Sequence, residues 1–255
     1  AGSYEERVTV SSADEVGALA RDFNAMAGAV EQRIEELTET AERQRLFIGG
    51  VTHEFKTPLT ALLLNVDSLQ NTYLDEEGRS AAIARIEHQT RWLERLVQKL
   101  LKLITLEQAP ELRTSSVPEL LERVKESTAD ALTQRGVTLQ MECHAERLDM
   151  DADLMQSVLV NLVDNAGKAS QPGQTVSLTA DAAGFTVRDH GCGIPREEIE
   201  RITEPFYMVD RSRSKKQGGV GLGLALVKEI VRAHGGRLEI ESAVDEGTTV
   251  RVLMK

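Results

Sequence analysis

Cysteine occurs only twice in the 255 residues, at Cys143 and Cys192. Two thiols make no disulfide framework, and neither belongs to a Cys/His cluster of zinc spacing. A reducing compartment is the simple expectation. Aromatic residues are scarce: one Trp, three Tyr and five Phe. A core so poor in large rings must be built from Leu, Val, Ile and Ala, which suits long helices. No run of ~18 apolar residues occurs, so no membrane span is expected, and no signal-peptide pattern opens the chain. Ala1-Gly2-Ser3 reads as a cloning scar, and the chain is expected to be a fragment of something longer. An excess of positive charge is also missing. The 30 Lys+Arg face 41 Asp+Glu, a net charge of −11. That balance argues against a nucleic-acid binder, which needs a basic footprint. What remains is 41% apolar and 28% charged residues. These suffice for one large or two modest domains, at roughly 150 residues each.

Glycine divides the chain. Before residue 108 it occurs only at Gly2, Gly17, Gly28, Gly49, Gly50 and Gly78. In this first half a short piece read as extended, Arg7–Val10, precedes a helix start at Ser11-Ser12-Ala13-Asp14-Glu15, with capping and acidic residues at the orphan N–H groups. Apolar residues then run Leu19, Phe23, Met26, Val30, Ile34, Leu37 and Ala41. The alternation of 3 and 4 is a heptad seam. The doubled 4 at Met26-Val30-Ile34 is a stutter, the mark of a junction between helical modules. The seam resumes through Gln44, Ile48, Val51, Phe55, Leu59, Leu62, Val66, Leu69 and Tyr73. Asp75-Glu76-Glu77-Gly78 reads as a turn. A second seam follows at Ile83, Ile86, Thr90, Leu93, Val97, Leu100 and Ile104. Two long helices and a short loop make an antiparallel hairpin. One hairpin leaves an apolar face open, and pairing two chains into a four-helix bundle closes it. A homodimer is therefore expected.

The second half alternates. Val137–Cys143, Thr175–Asp181, Phe185–Asp189, Arg237–Glu241 and Thr248–Leu253 read as strands. Pro118–Gln134, Ala152–Ala169 and Leu222–Ala233 read as helices, the second capped by Asp151 and the third stopped by Gly235-Gly236. The order is not regular βαβ, so a mixed sheet covered by helices is expected, an α/β sandwich of the α+β class. The fold class is thus an α-helical half followed by an α+β half.

Four places carry chemistry. His53 lies mid-helix in Phe47-Ile48-Gly49-Gly50-Val51-Thr52-His53-Glu54-Phe55-Lys56-Thr57-Pro58-Leu59. It is two positions past the seam residue Val51 and so projects from a flank toward solvent. A neutral imidazole is a good nucleophile near pH 7. Glu54 could take or hold the proton on the other ring nitrogen, but neighbours i and i+1 do not face each other on a helix. Pro58 should kink the helix one turn beyond His53. An exposed His beside a Glu is, in isolation, most often plain surface. Asn161, Asn165 and Lys168 fall at i, i+4, i+7 on one helix face. Side-chain carbonyls suit a magnesium ion and an amine suits phosphate; a solvated helix face is the competing reading. Asp189-His190-Gly191-Cys192-Gly193-Ile194-Pro195 ends a strand, with glycines permitting close ligand approach and Asp189 able to accept from an exocyclic amine. Alone it could be an ordinary turn, with Cys192 a small packing residue. Gly218-Gly219-Val220-Gly221-Leu222-Gly223 enters a helix, an anion-binding arrangement. It is not a P-loop, because no Lys-Ser/Thr follows. The preceding Arg211-Ser212-Arg213-Ser214-Lys215-Lys216 could neutralise a triphosphate, or be a mobile solvated loop.

In this order the four closely resemble the sensor histidine kinases of two-component systems. His53–Leu59 is similar to the H box, Asn161–Lys168 to the N box, and Asp189–Gly193 to the first glycine box. Glu204-Pro205-Phe206-Tyr207 is similar to the F box and Gly219–Gly223 to the second glycine box. Asp14-Glu15-Val16-Gly17 with Phe23-Asn24-Ala25-Met26 resembles the last helix of a HAMP linker. The resemblance implies three parts: residues 4–33 as HAMP linker and signalling helix, 34–107 as dimerisation and phosphotransfer hairpin, and 108–255 as an ATP-binding domain of the gyrase type. It implies that the γ-phosphoryl of ATP moves to His53 and then to an Asp of a response regulator receiver domain. Asn165 would hold Mg²⁺, with Asn161 the candidate second ligand, and Lys168 would touch phosphate. Asp189 would read adenine in a pocket shaped by Gly191 and Gly193. Gly219, Gly221 and Gly223 would border the phosphates, Phe206 would pin the lid, and Arg211 or Arg213 would steady the transferred group. Glu54 would act as base, and Thr57 would position water for dephosphorylating the regulator. The chain would be the cytoplasmic portion of a bacterial inner-membrane protein, touching the membrane only through segments it does not contain. Ala169 stands where the family often has Tyr, so one adenine wall would come from elsewhere, such as Ile194 or Tyr207. Phe55-Lys56 stands for a frequent Leu-Arg. The competing readings are a gyrase- or chaperone-like ATPase, which needs a water-activating Glu near the N box, and a non-catalytic ATP-gated dimeric interaction module.

Overall fold

The computed structural model of the chain describes residues 7–9, 14–71, 73–105, 110–209 and 220–254. Packing divides it into two compact units, residues 1–53 and 54–255.

In the first unit, helix α1 (Glu15–Asn71) begins; it continues into the second as one helix of 57 residues. The expected helix start at Ser11–Ala13 and Val10 of the extended piece lie outside the described residues. Asp14 caps the helix: its carboxylate accepts from the Val16 N–H at 3.1 Å. Arg7–Thr9 joins no sheet. Its backbone is read by Asn24, whose amide accepts from the Val8 N–H and donates to the Val8 carbonyl, both at 2.8 Å. Arg7 pairs with Glu31 at 2.6 Å. The helix runs through the stutter at Met26–Ile34 without interruption. Within one chain the seam is uncovered: Leu19, Phe23, Met26, Ile34 and Leu37 are exposed.

In the second unit α1 runs on through Pro58, and α2 (Glu76–Thr105) returns beside it. The helices are tied where Arg85 Nε donates to Asn65 Oδ1 at 2.7 Å. The turn expected at Asp75–Gly78 is shorter than its composition suggests. α2 already starts at Glu76, because Asp75 accepts from the Gly78 N–H at 2.8 Å and so acts as N-cap rather than turn residue. Pro58, Ala82, Leu96 and Leu100 are buried, whereas Leu59, Leu63, Val66, Ile83 and Val97 are exposed. The hairpin thus keeps the open apolar face the pattern implied.

The remainder is a mixed five-stranded sheet with helices on one face. Strands β2 (Thr138–Cys143), β4 (Thr175–Asp181), β5 (Gly184–Arg188), β6 (Arg237–Ala243) and β7 (Gly247–Leu253) lie in the order β2-β4-β5-β7-β6. Only β2 and β4 are parallel. Helices α3 (Val117–Arg135), α4 (Ala152–Ala169) and α5 (Gly223–Ala233) pack together over the sheet. Ser116 caps α3 and Gly136, at φ 67°, ends it. Asp151 caps α4 through the Asp153 and Leu154 N–H groups. Leu120, Val124, Met155, Leu159, Leu178 and Ile230 are fully buried between helices and sheet, each contributing about 1.5–3 kcal/mol. Two further strands, β1 (Arg113–Ser116) and β3 (Arg147–Met150), form a separate antiparallel pair. The sequence pattern did not reveal them, because four residues are too few to show alternation.

Candidate active site

The amide stripe is set by α4. Its apolar positions Met155, Leu159, Leu162 and Ala166 enter the core. That leaves Asn161, Asn165 and Lys168 half-buried on another face. Asn161 donates its amide to the Ser157 carbonyl at 2.7 Å, which leaves its own carbonyl for another partner. Gly223, the first residue of α5, lies directly above the stripe. A Cβ there would be 3.1 Å from Asn161 Oδ1 and 3.7 Å from Asn165 Nδ2. The absence of a side chain lets the N–H groups of α5's first turn approach the amides, the geometry of an anion site. Lys168 pairs with Asp164 at 2.7 Å, and Arg135 meets the same carboxylate at 3.1 Å. Burial pushes Asp164 up, but Lys168, Arg135 and Lys99 outweigh it and hold the group below the usual carboxylate range.

Asp189 follows β5 and is 5% exposed. Its Oδ1 accepts from the Gly191 N–H at 2.8 Å and the Thr248 N–H at 3.3 Å. Burial pushes its carboxyl above the ordinary range despite these donors. Gly191 packs on the end of α4, where a Cβ would lie 2.4 Å from the Ala169 carbonyl oxygen. Gly193 has φ +63°, and a Cβ would lie 1.8 Å from the Ala243 carbonyl oxygen. Phe206, itself at φ 64°, donates its N–H to the Gly221 carbonyl at 2.8 Å, so the F-box-like and second glycine-rich segments are joined backbone to backbone.

These groups surround one cleft of about 390 Å³, within the usual ~300–1,000 Å³ of small-ligand sites. Asn165, Lys168, Asp189, Gly193, Gly221 and Gly223 line it. Asn161, Gly191 and Phe206 support it from behind through the contacts above. Ala169, Ile194 and Tyr207 all line the cleft. The Tyr207 ring is held by Arg201, 4.2 Å from its centroid, and by a hydrogen bond from its hydroxyl to Glu198. Cys192 does not pack as expected: it is exposed and lines the cleft, between Gly191 and Gly193. Arg211, Arg213 and Gly219 lie outside the described residues.

On α1, His53 and Thr57 are exposed and four residues apart, while Glu54 is 7% exposed. No group of three or more His, Cys, Asp or Glu that could hold a metal occurs among the described residues. The amide pair Asn161/Asn165 fits Mg²⁺ only as a partial ligand set completed by phosphate and water, which is how Mg²⁺ is commonly held.

Among the residues sequence reasoning missed are Thr248 and Lys99, which line the cleft, and Gly247 beside it. Thr248 supplies an N–H to Asp189. Gly247, at φ +100°, allows it, since a Cβ there would lie 2.1 Å from the Asp189 carbonyl oxygen. The Gly247-Thr248 step at a strand start was the available signal. Lys99, from α2, also lines the cleft, and nothing local to it points there.

An α/β nucleotide-type cleft following a histidine-bearing helical hairpin defines the class, and comparison with known proteins agrees with it. Residues 1–32 match the HAMP domain, 43–109 the His Kinase A (phospho-acceptor) domain, and 150–255 the histidine kinase-, DNA gyrase B- and HSP90-like ATPases. The chain is 34% identical to sensor histidine kinase YclK of Bacillus subtilis (strain 168) over 256 residues, 97% of this chain and 54% of YclK. It resembles full-length ShkA, solved in complex with AMPPNP, with a TM-score of 0.58 and 28% identity, covering 80% of this chain and 45% of ShkA. The fold also matches histidine kinase ThkA, solved with the response regulator protein TrrA, at a TM-score of 0.65 and 21% identity, covering 88% and 64%. The chain belongs to the HAMP-linked sensor histidine kinases. It spans about half the length of YclK.

Proposed function

We propose that this chain transfers the γ-phosphoryl group of ATP to His53 and from there to an aspartate of a response regulator. The observation that carries this reading is the cleft: a buried Asp189 acceptor at one end and an amide, ammonium and helix N-terminus at the other, in a chain that also exposes His53 on a helix. Asp189 accepts from the adenine amine. Asn165, with Asn161, would hold Mg²⁺, which would supply charge neutralisation at the phosphates. Lys168 leaves Asp164 to meet phosphate, Gly219 borders the phosphates with Gly221 and Gly223, and Arg211 or Arg213 steadies the transferred group. An imidazole nitrogen of His53 bonds to the γ-phosphorus, the bond to the β–γ bridging oxygen breaks, and ADP leaves. Glu54 takes the proton from the other ring nitrogen. The chemistry is mainly positioning and charge stabilisation. Thr57, one turn from His53, positions water for dephosphorylating the regulator. Residues 4–33, 34–107 and 108–255 act as HAMP-derived linker, dimerisation and phosphotransfer hairpin, and ATP-binding domain. Two copies pair through the open hairpin face, as the cytoplasmic portion of a membrane sensor; no described helix of this chain is long and apolar enough to cross a membrane.

A gyrase-like ATPase is disfavoured. Asp164 is the only acid in the N-box-like segment, and its pairing with Lys168 and Arg135 makes it a poor base. The test is labelling with γ-labelled ATP. Wild type gains acid-labile phosphate and His53→Gln does not; a labelled mutant overturns the assignment, and nucleotide binding with neither labelling nor hydrolysis indicates the interaction module. Thr57→Ala keeps the label on His53 and slows loss of phosphate from the regulator; an unchanged rate removes the role of Thr57.

A further inference from the structure

Among the described residues, Lys99 is the one cleft-lining residue that comes from the helical hairpin. The C-terminal part of α2 packs on α5, and Lys102 Nζ donates to Ser157 Oγ of α4 at 2.8 Å. Lys99 lies three residues earlier, on the same side of the helix, and lines the cleft with Asn165, Lys168 and Gly223. The charge around it is unbalanced. Arg135 and Lys168 already share Asp164, and Lys99 has no ion pair or hydrogen bond among the described residues. Three cations thus surround one carboxylate. Burial pushes the Lys99 ammonium below its ordinary range, Lys168 adds to this, and Asp164 opposes it. A half-buried cation that shares its nearby carboxylate with two other cations is under-neutralised, which is costly, and an anion entering beside it removes that cost. The anion the neighbouring glycine-rich helix start accepts is a phosphate chain.

We infer that Lys99 of α2 binds the terminal phosphates of the nucleotide, so that bound ATP ties the hairpin to the ATP-binding domain of the same chain. This rests on the nucleotide reading of the cleft and extends it to a residue outside the glycine-rich and N-box-like segments. It also gives α2 a function beyond dimer packing: movement of α2 changes the cation set that the phosphates meet.

The test is calorimetric titration of the whole chain with ATP, ADP, AMP and adenosine, for wild type, Lys99→Ala and Lys99→Arg. A charge-assisted contact predicts that Lys99→Ala weakens ATP about tenfold or more, leaves adenosine unchanged, and is largely rescued by Lys99→Arg. The step at which the loss appears, between AMP and ADP or between ADP and ATP, assigns the phosphate. Wild-type ATP binding with an unaffected Lys99→Ala overturns the inference alone. So does equal weakening of ATP and adenosine, which marks a packing role. A wild type that binds none of the four overturns the nucleotide reading itself.

Discussion

Asp189 shows how much of the cleft depends on one carboxylate. It is buried, accepts two backbone N–H groups through one oxygen, and is held above the usual carboxylate range chiefly by burial. A raised folded-state value means its favourable contribution is present at low pH and is lost as pH rises through that value. Asn keeps an oxygen for both N–H groups and carries no charge. Asp189→Asn should therefore melt at or above wild type at neutral pH, with the gap closing on acidification. Its amide N–H₂ would face the adenine amine donor to donor, so ATP binding should weaken about tenfold or more. Melting curves across pH with a nucleotide titration check both; uniform destabilisation with intact binding contradicts them. Asp189, Asn165, Lys168 and the glycines were legible in the sequence because each motif is short-range. Thr248 was not, because the β5–β7 register, which sets Arg188 opposite Thr249, brings it to Asp189. Lys99 was not, because helix packing alone delivers it.

Elements hold the cleft through their ends. His234 at the end of α5 is 6% exposed. It accepts the Asp151 N–H at 3.1 Å through Nε2, so its Nδ1–H donates to the Ile230 carbonyl at 2.8 Å. One neutral ring thus fixes the end of α5 to the start of α4. His234→Ala leaves that N–H unpaired and opens a cavity, and should cost about 2–3 kcal/mol, read from the urea midpoint. An unchanged midpoint contradicts the bridge. The turns offer a paired comparison. Gly173 has φ +88° with nothing near its missing Cβ, so Gly173→Ala should cost about 1 kcal/mol of backbone strain. Gly193→Ala adds a collision with backbone, and should cost more than twice as much and abolish nucleotide binding. Equal costs contradict the steric argument. The helices α3, α4 and α5 and the five sheet strands were legible within a residue or two, from caps and periodicity. β1 was hidden, since Arg113-Thr114-Ser115-Ser116 has no apolar residue to alternate, and β3, which does alternate, spans only four residues.

At the scale of the molecule, the scarcity of aromatics follows from long helices whose stripes use Leu, Ile and Val. A single chain leaves the hairpin stripe open, with Leu63 71% exposed. A second copy covering it makes the melting temperature rise with protein concentration. Leu63→Lys should remove that dependence and halve the sedimenting mass while the mutant still binds ATP; an unchanged mass contradicts the pairing face. The overall negative charge has a local exception around Asp164, where Lys99, Lys168 and Arg135 converge.

The central claim is that phosphate passes from ATP to His53. It is tested most directly by a single turnover with γ-labelled ATP, followed by peptide mapping at neutral pH. The label should sit in the peptide that contains His53 and be released by acid. Label on another residue, or its release as inorganic phosphate from an unlabelled chain, would contradict the claim.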